Sequence, residues 1–307
     1  MIGSDGEDAL RQLDDGRWDT PERRRWLEGL GHIYRESGVL DEQGFAPALQ
    51  RCCPSAETCW KQARHREQPV TPADVGRGEN GSILWPWIGD DYKPGGVCVV
   101  GMNVNHDAGG WWSIAVEYAI EKQVIDTFNE GGSNPFGSSP FAYRANASAN
   151  AALQSMSGVR PEERPAAGDL AGVPAQVARV QSVKCSPIGD RSSPTGAMQK
   201  RCPSRFARHE IEFLRPGVVL TLGRDAENAV RTIGEVTWTE ATKRFSRGHV
   251  TVGSLSATLL CLPHPSARGG AWATGQAELV ASLRAGPLAG SDASPRSGGG
   301  IDRRGTP

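Results

Sequence analysis

The sequence predicts a three-layer α/β/α sandwich built on a central, mostly parallel four-stranded sheet. Three observations carry that prediction. First, four short apolar runs, Val97 to Met102, Ala178 to Lys184, Val218 to Leu222 and Ala257 to Leu262, are each bounded by Gly, Pro or charge. Parallel strands covered on both faces take that form. Second, stretches with helical patterning separate the runs, and alternating strands and helices build a parallel sheet with helices on both sides. Third, a polar or loop-like segment follows each run directly, where the carboxyl ends of parallel strands converge on one crevice.

The elements follow in order. Pro21 to Gly38 has Pro near its start, apolar Trp26, Leu27, Leu30 and Ile33, and a Gly stop, which predicts a helix. It lies in an N-terminal extension, residues 1–95. Residues 96–285 are the α/β domain. Its helices are expected at Trp111 to Phe128, at the Ala-rich Arg144 to Met156, at Ala197 to Leu214, at Asp225 to Ile233 and at Gly275 to Leu283. Residues 286–307, GPLAGSDASPRSGGGIDRRGTP, are low in complexity and expected to be a disordered tail. No internal repeat is visible.

Composition bounds the function. Of 307 residues, 38% are hydrophobic and 22% charged, as in a globular protein. No apolar run is long enough to span a bilayer, so no membrane partner is expected. The acidic start MIGSDGEDALRQLDDG lacks the apolar segment of a secretory signal, and the cytoplasm is the default compartment. The net charge of −1 carries no global nucleic-acid signature, but Arg179 to Arg215 is locally basic. Of the seven cysteines, Cys98 and Cys261 sit in apolar runs and read as core thiols; the other five sit among Pro, Ser, Lys and Arg.

The four strand ends read GMNVNHD, KCSPIGDRSSP, LGRDAENA and LPHPSARGG. Converging on one sheet edge, they would line a pocket. With PFAYRANASANAAL, VQSVKCSPIGDRSSPTGAMQKRC and CLPHPSA between residues 97 and 284, this order of segments resembles the uracil-DNA glycosylase superfamily, most closely its iron–sulfur branch. The resemblance implies a glycosylase-like fold and hydrolysis of the N-glycosidic bond of uracil or a related damaged base in DNA. Such enzymes flip the base into a pocket and pass through an oxocarbenium-like state.

The implied roles fall on named positions. Phe141 would stack the base, and Gln181 would read its edge from the place of the family's Asn. Gly101, Met102 and Ser266 would line the base pocket. His264 would hold the departing base anion, and Asn103 would place the water. Arg191 and Arg268 would contact DNA phosphates. Val104 stands where the family's first loop often has Pro, and residues 108–138 form an insertion before Phe141. Cys185 and Cys202 match the later two cluster ligands of the branch, and Cys52 or Cys53 (Cys53 preferred) with Cys59, not spaced as the branch's Cys-x-x-Cys, would complete a quartet for a 4Fe–4S cluster, with zinc as the alternative. The expected partner is DNA containing a damaged base, bound by a monomer. Two rival readings remain: a relative that binds nucleic acid or a base without cleavage, and a metal-dependent hydrolase using His106, Asp107 and His264. His106 and Asp107 also suit a helix cap.

Overall fold

The computed structural model describes residues 21–36, 55, 58–59, 64–65, 68–69, 86–102, 140–170, 172–184 and 194–288. The expected helix at Trp111 to Phe128, the tail, and Cys53, Asn103, His106, Asp107, Cys185 and Arg191 lie outside these residues, as does the side chain of Phe141. In chain order the elements are α1 (Pro21–Glu36), β1 (Arg64–His65), β2 (Gln68–Pro69), β3 (Trp87–Ile88), β4 (Val97–Gly101), α2 (Pro140–Met156), α3 (Val173–Gln176) and β5 (Val177–Gln181). There follow α4 (Gly196–Cys202), a wider π turn at Pro203–Ala207, α5 (Arg208–Leu214), β6 (Val218–Leu222), α6 (Arg224–Ile233), β7 (Glu235–Ala241), β8 (Ser246–Val252), β9 (Leu255–Leu262) and α7 (Ala271–Ala285).

The four expected strands pair in parallel in the order β5-β4-β6-β9. The sheet is wider than expected. It has seven strands in the order β3-β5-β4-β6-β9-β8-β7, and β3, β8 and β7 run antiparallel to their neighbours. These three strands escape a search for buried apolar runs for a physical reason. In β8, SRGHVTV, burial alternates from Gly248 to Val252, and β7, EVTWTEA, is the exposed edge. One-faced antiparallel strands show alternation rather than a continuous apolar run.

Alternation along the central strands divides the core into two halves. Cys98, Val100, Ala178, Val180 and Val219 pack with Leu30, Tyr34, Met198, Phe206, Ile211 and Val230, so α1, α4, α5 and α6 cover one face. Val97, Val99, Val177, Leu220 and Leu260 pack with Ala147, Ala151, Leu279 and Leu283, so α2 and α7 cover the other. The three-layer expectation therefore holds. Small residues on α2 let that helix lie close to the sheet. Helix α1 is fastened through Trp26, which meets Phe213 edge to face at 5.3 Å, and through Tyr34, which stacks on Phe206 at 5.9 Å. Cys98 and Cys261 are core thiols, and burial pushes both up to about 12.

Just past β5, Lys184 is sealed beneath α5. Its Nζ lies 2.7 Å from Glu210 Oε2, and the two side chains are 2% and 0% exposed. Burial lowers the lysine's proton affinity and raises that of the glutamate, so each is driven toward its neutral form. The short contact keeps them bound as a net-neutral couple in either proton arrangement. Removing one member leaves the other buried without compensation, which typically costs about 3–5 kcal/mol. Lys184→Ala is therefore expected to lower stability by about that amount in urea unfolding, while the double replacement Lys184→Met with Glu210→Leu recovers most of the loss. Equal losses in the single and double variants would show that the pair is not what stabilises this region.

Candidate active site at the carboxyl edge of the sheet

The strand order reverses direction at β4, because β5 flanks it on one side and β6 and β9 follow on the other. In open α/β sheets the crevice outside the carboxyl ends at such a reversal is where ligands bind. The register brings the ends together: Gly101 lies opposite Gln181, and Leu222 opposite Leu262. Ladder-like pairing runs on past the strands, with the Ser182 and Val183 amides donating to the Gly101 and Met102 carbonyls at 2.9 and 2.8 Å. Gly101, Met102, Gln181 and His264 thus lie at the ends of neighbouring strands.

Gly101 and Gln181 fit each other. A Cβ at Gly101 would come within 2.6 Å of Gln181 Oε1, so a larger residue there would push the amide out of its present place. That oxygen is buried and has no hydrogen-bond partner among the described residues. Buried acceptors are nearly always paired in native proteins. An orphaned carboxamide oxygen at a strand end can accept a hydrogen bond from a donor brought to it.

His264 is held from four directions. Its Nδ1 accepts the Ser266 amide at 3.2 Å, which leaves the proton of the neutral ring on Nε2. Its carbonyl accepts the Ala267 amide at 2.8 Å, closing the loop. Its Cβ and ring lie 3.2 to 3.4 Å from where a Cβ on Gly223 would be, and Gly223 has φ +101, so glycine is required there twice over. The next carbonyl, that of Pro265, accepts a 2.5 Å hydrogen bond from Arg144 Nη1. Solvent still reaches the ring, but packing against the loop and Gly223 strips enough water to lower its pKa from 6.5; Asp225, in the first turn of α6, acts in the opposite direction. The ring is therefore a neutral hydrogen-bond donor at neutral pH.

Arg144, Gly223 and Asp225 are site-shaping residues that motif matching overlooked. Arg144 sits one helical turn after Phe141, so its bond to Pro265 brings the first turn of α2, with Phe141 in it, beside the His264 loop. Its guanidinium also lies 5.4 Å over the Trp272 ring of α7. Behind it, the Ser148 hydroxyl meets Gln276 Oε1 at 2.7 Å and accepts from Trp272 Nε1 at 3.3 Å, a buried seam that joins α2 to α7. The helix that the sequence suggested from Arg144 begins a turn earlier, at Pro140.

Two cysteines of the expected quartet are described. Cys59 and Cys202 are buried in the same half of the core. Thr195 connects them: its hydroxyl donates to the Cys59 carbonyl at 2.7 Å and accepts the Met198 amide at 3.2 Å, capping the helix α4 that ends at Cys202. Cys202 also lies close enough to Lys184, the neighbour of Cys185, to influence its proton affinity. The fold thus places the two described cysteines of the quartet, Cys59 and Cys202, on one side of the sheet. Among the described residues no group of three or more His, Cys, Asp or Glu side chains has metal-binding geometry, and two of the four cysteines lie outside them. Arg268 is exposed just after the His264 loop.

Residues 132–284 match the family model for the uracil DNA glycosylase superfamily. The chain carries a domain of that superfamily. No curated protein matches the chain significantly. The matched segment contains α2, the whole parallel core except β4, and the His264 loop. In this glycosylase-like domain the state of the histidine can be measured. By NMR, His264 is expected to titrate below 6.5 with its neutral proton on Nε2, and Asp225→Asn should move the midpoint further down, because the aspartate's charge favours the protonated ring. An upward move, or a neutral ring protonated on Nδ1, would contradict this arrangement.

Proposed function

We propose that the protein is a DNA base-excision glycosylase that hydrolyses the N-glycosidic bond of uracil or a closely related base. The observation that supports it most directly is the neutral His264, fixed with a donor Nε2–H at the carboxyl edge of a glycosylase-superfamily domain. In the reaction the bond from the base nitrogen to C1′ breaks and its electron pair leaves with the base. Water adds at C1′ and gives up a proton. The negative charge grows on the carbonyl oxygens of the base, where a preorganised neutral donor stabilises the transition state more than the ground state.

The other roles are those the motif order implies. Gln181 Oε1 takes the imide N–H of the flipped base, a group that thymine also has, so discrimination rests on pocket shape around Gly101 and Met102. Phe141 stacks the base from the first turn of α2. Ser266 lies at the turn whose amide holds the histidine. Asn103, in the segment that follows β4, orients the water; an amide can place a nucleophile but takes no proton at neutral pH. Arg191 and Arg268 contact phosphates.

Cys53, Cys59, Cys185 and Cys202 would hold a 4Fe–4S cluster, or zinc as the alternative. The burial of Cys59 and Cys202 in one half of the core, with Thr195 joining the Cys59 carbonyl to the helix that ends at Cys202, supports that ligand set. The group would serve as a structural staple between the N-terminal segment and the α/β domain. Purified protein is expected to contain iron and sulfide, with broad visible absorbance that Cys202→Ser abolishes. Zinc alone would identify the alternative.

Excision is tested on an end-labelled single-stranded oligonucleotide carrying one uracil, with alkali to cut the abasic product. His264→Ala should slow the reaction by about 10² to 10³, the usual effect of removing one such donor. Undiminished cleavage by that variant would remove His264 from the mechanism. Wild-type protein that binds the oligonucleotide and leaves it intact would support the binding-only reading, which the poor basicity of Asn103 favours.

A further inference from the structure

Beyond the strand-end loops, the antiparallel part of the sheet carries a second feature on the same edge. β8 runs antiparallel to β9 with Ser246 opposite Cys261, so the turn between β7 and β8 emerges where β9 leads into the His264 loop. Gly275 of α7 confirms the proximity: a Cβ there would lie 2.7 Å from Pro263 and 2.8 Å from the Arg244 carbonyl. The turn reads TKRF, Thr242 to Phe245.

The turn is rigid and cationic. The Thr242 amide donates to the Phe245 carbonyl at 2.8 Å, and the Thr242 hydroxyl accepts the Phe245 amide at 2.9 Å and that of Arg244 at 3.3 Å. Phe245 is 1% exposed and anchors the turn in the core, while Lys243 and Arg244 face solvent. Two carboxylates lie nearby without ion-pairing these cations: Glu278 accepts from the turn's own Thr242 hydroxyl at 2.6 Å, and Glu240 accepts from Ser282 at 2.5 Å. Among the described residues Lys243 and Arg244 form no ion pair, and neither do Arg224 and Arg268, which stand on the two other segments beside His264. By contrast, Arg208, Arg231 and Arg284 pair with carboxylates.

We infer that the β7–β8 turn is a phosphate-binding element: Lys243 and Arg244 grip the backbone of a nucleic-acid strand flanking the base held at His264. The turn's rigidity lowers the ordering cost of the contact, and two cations that form no ion pair among the described residues stand beside Pro263 to meet the polyanion. The inference rests on the reading of the chain as a DNA glycosylase.

The test is fluorescence anisotropy with a labelled single-stranded oligonucleotide over a salt series, alongside uracil excision. Lys243→Ala combined with Arg244→Ala should weaken binding and reduce the magnitude of the slope of log K against log salt by about 1.4, at about 0.7 per lost phosphate contact. Excision at saturating DNA should be unchanged and KM raised. Arg160→Ala combined with Arg164→Ala removes the same charge from the opposite, amino edge of the sheet and should leave the slope unaltered. Equal effects from the two double variants, or none from Lys243 and Arg244 while wild type binds and cleaves, would overturn the phosphate-binding role alone. Wild type that neither binds nor cleaves would sink the glycosylase reading, and this inference with it.

Discussion

Four parallel strands must be buried on both faces, and the rest of the structure is arranged around that requirement. Every second residue of β4, β5, β6 and β9 has to find apolar cover above the sheet and every other one below it. Helices α2 and α7 supply one layer; α4, α5, α6 and α1 supply the other. Because both layers are occupied, backbone and polar side chains can reach solvent only at the sheet's edges. The carboxyl edge, where the strand order reverses, is therefore where Gly101, Gln181 and His264 emerge. The position of the site is a consequence of how the core is covered.

The same constraint explains why polar groups behind the site are tightly matched. Ser148, Gln276 and Trp272 lie in the seam between α2 and α7, and each is satisfied by the others or by a nearby carbonyl. Lys184 Nζ and Glu210 Oε2 pair with each other, while Glu210 Oε1 is buried without a partner among the described residues. Arg144 extends the first network outward to Pro265, so that the helix bearing Phe141 and the loop bearing His264 move as one unit. If Phe141 stacks the base and His264 holds its leaving charge, as proposed, such a strut keeps them in register, since angstrom-scale misplacement erodes catalysis.

What the sequence discloses follows from the range of the physics involved. Buried parallel strands advertise themselves as apolar runs, and all four are legible, with β5 ending at Gln181 rather than Lys184 although its pairing with β4 continues through Val183. The antiparallel additions were not legible, because β7 and β8 bury one face or none. His264 and Gln181 could be placed by motif order. The partners that give them their chemistry could not: Asp225 acts on His264 from another helix, Arg144 holds the loop from a helix far away in the chain, and the Thr195 link between Cys59 and Cys202 spans segments distant in sequence.

The exchange of the family's Asn for Gln181 shows how such partners change the meaning of a substitution. Read alone, the longer side chain should push the amide too far into a base pocket. In the folded chain Gln181 lies level with Gly101 on the neighbouring strand, and the absence of a Cβ there opens the space that the extra methylene needs. The amide lies against the Gly101 position, with its oxygen buried and unpaired among the described residues. Length gained on β5 is thus absorbed by volume missing on β4. The departure from the family pattern and the glycine beside it are two halves of one adjustment, which retains a carboxamide acceptor at the strand end.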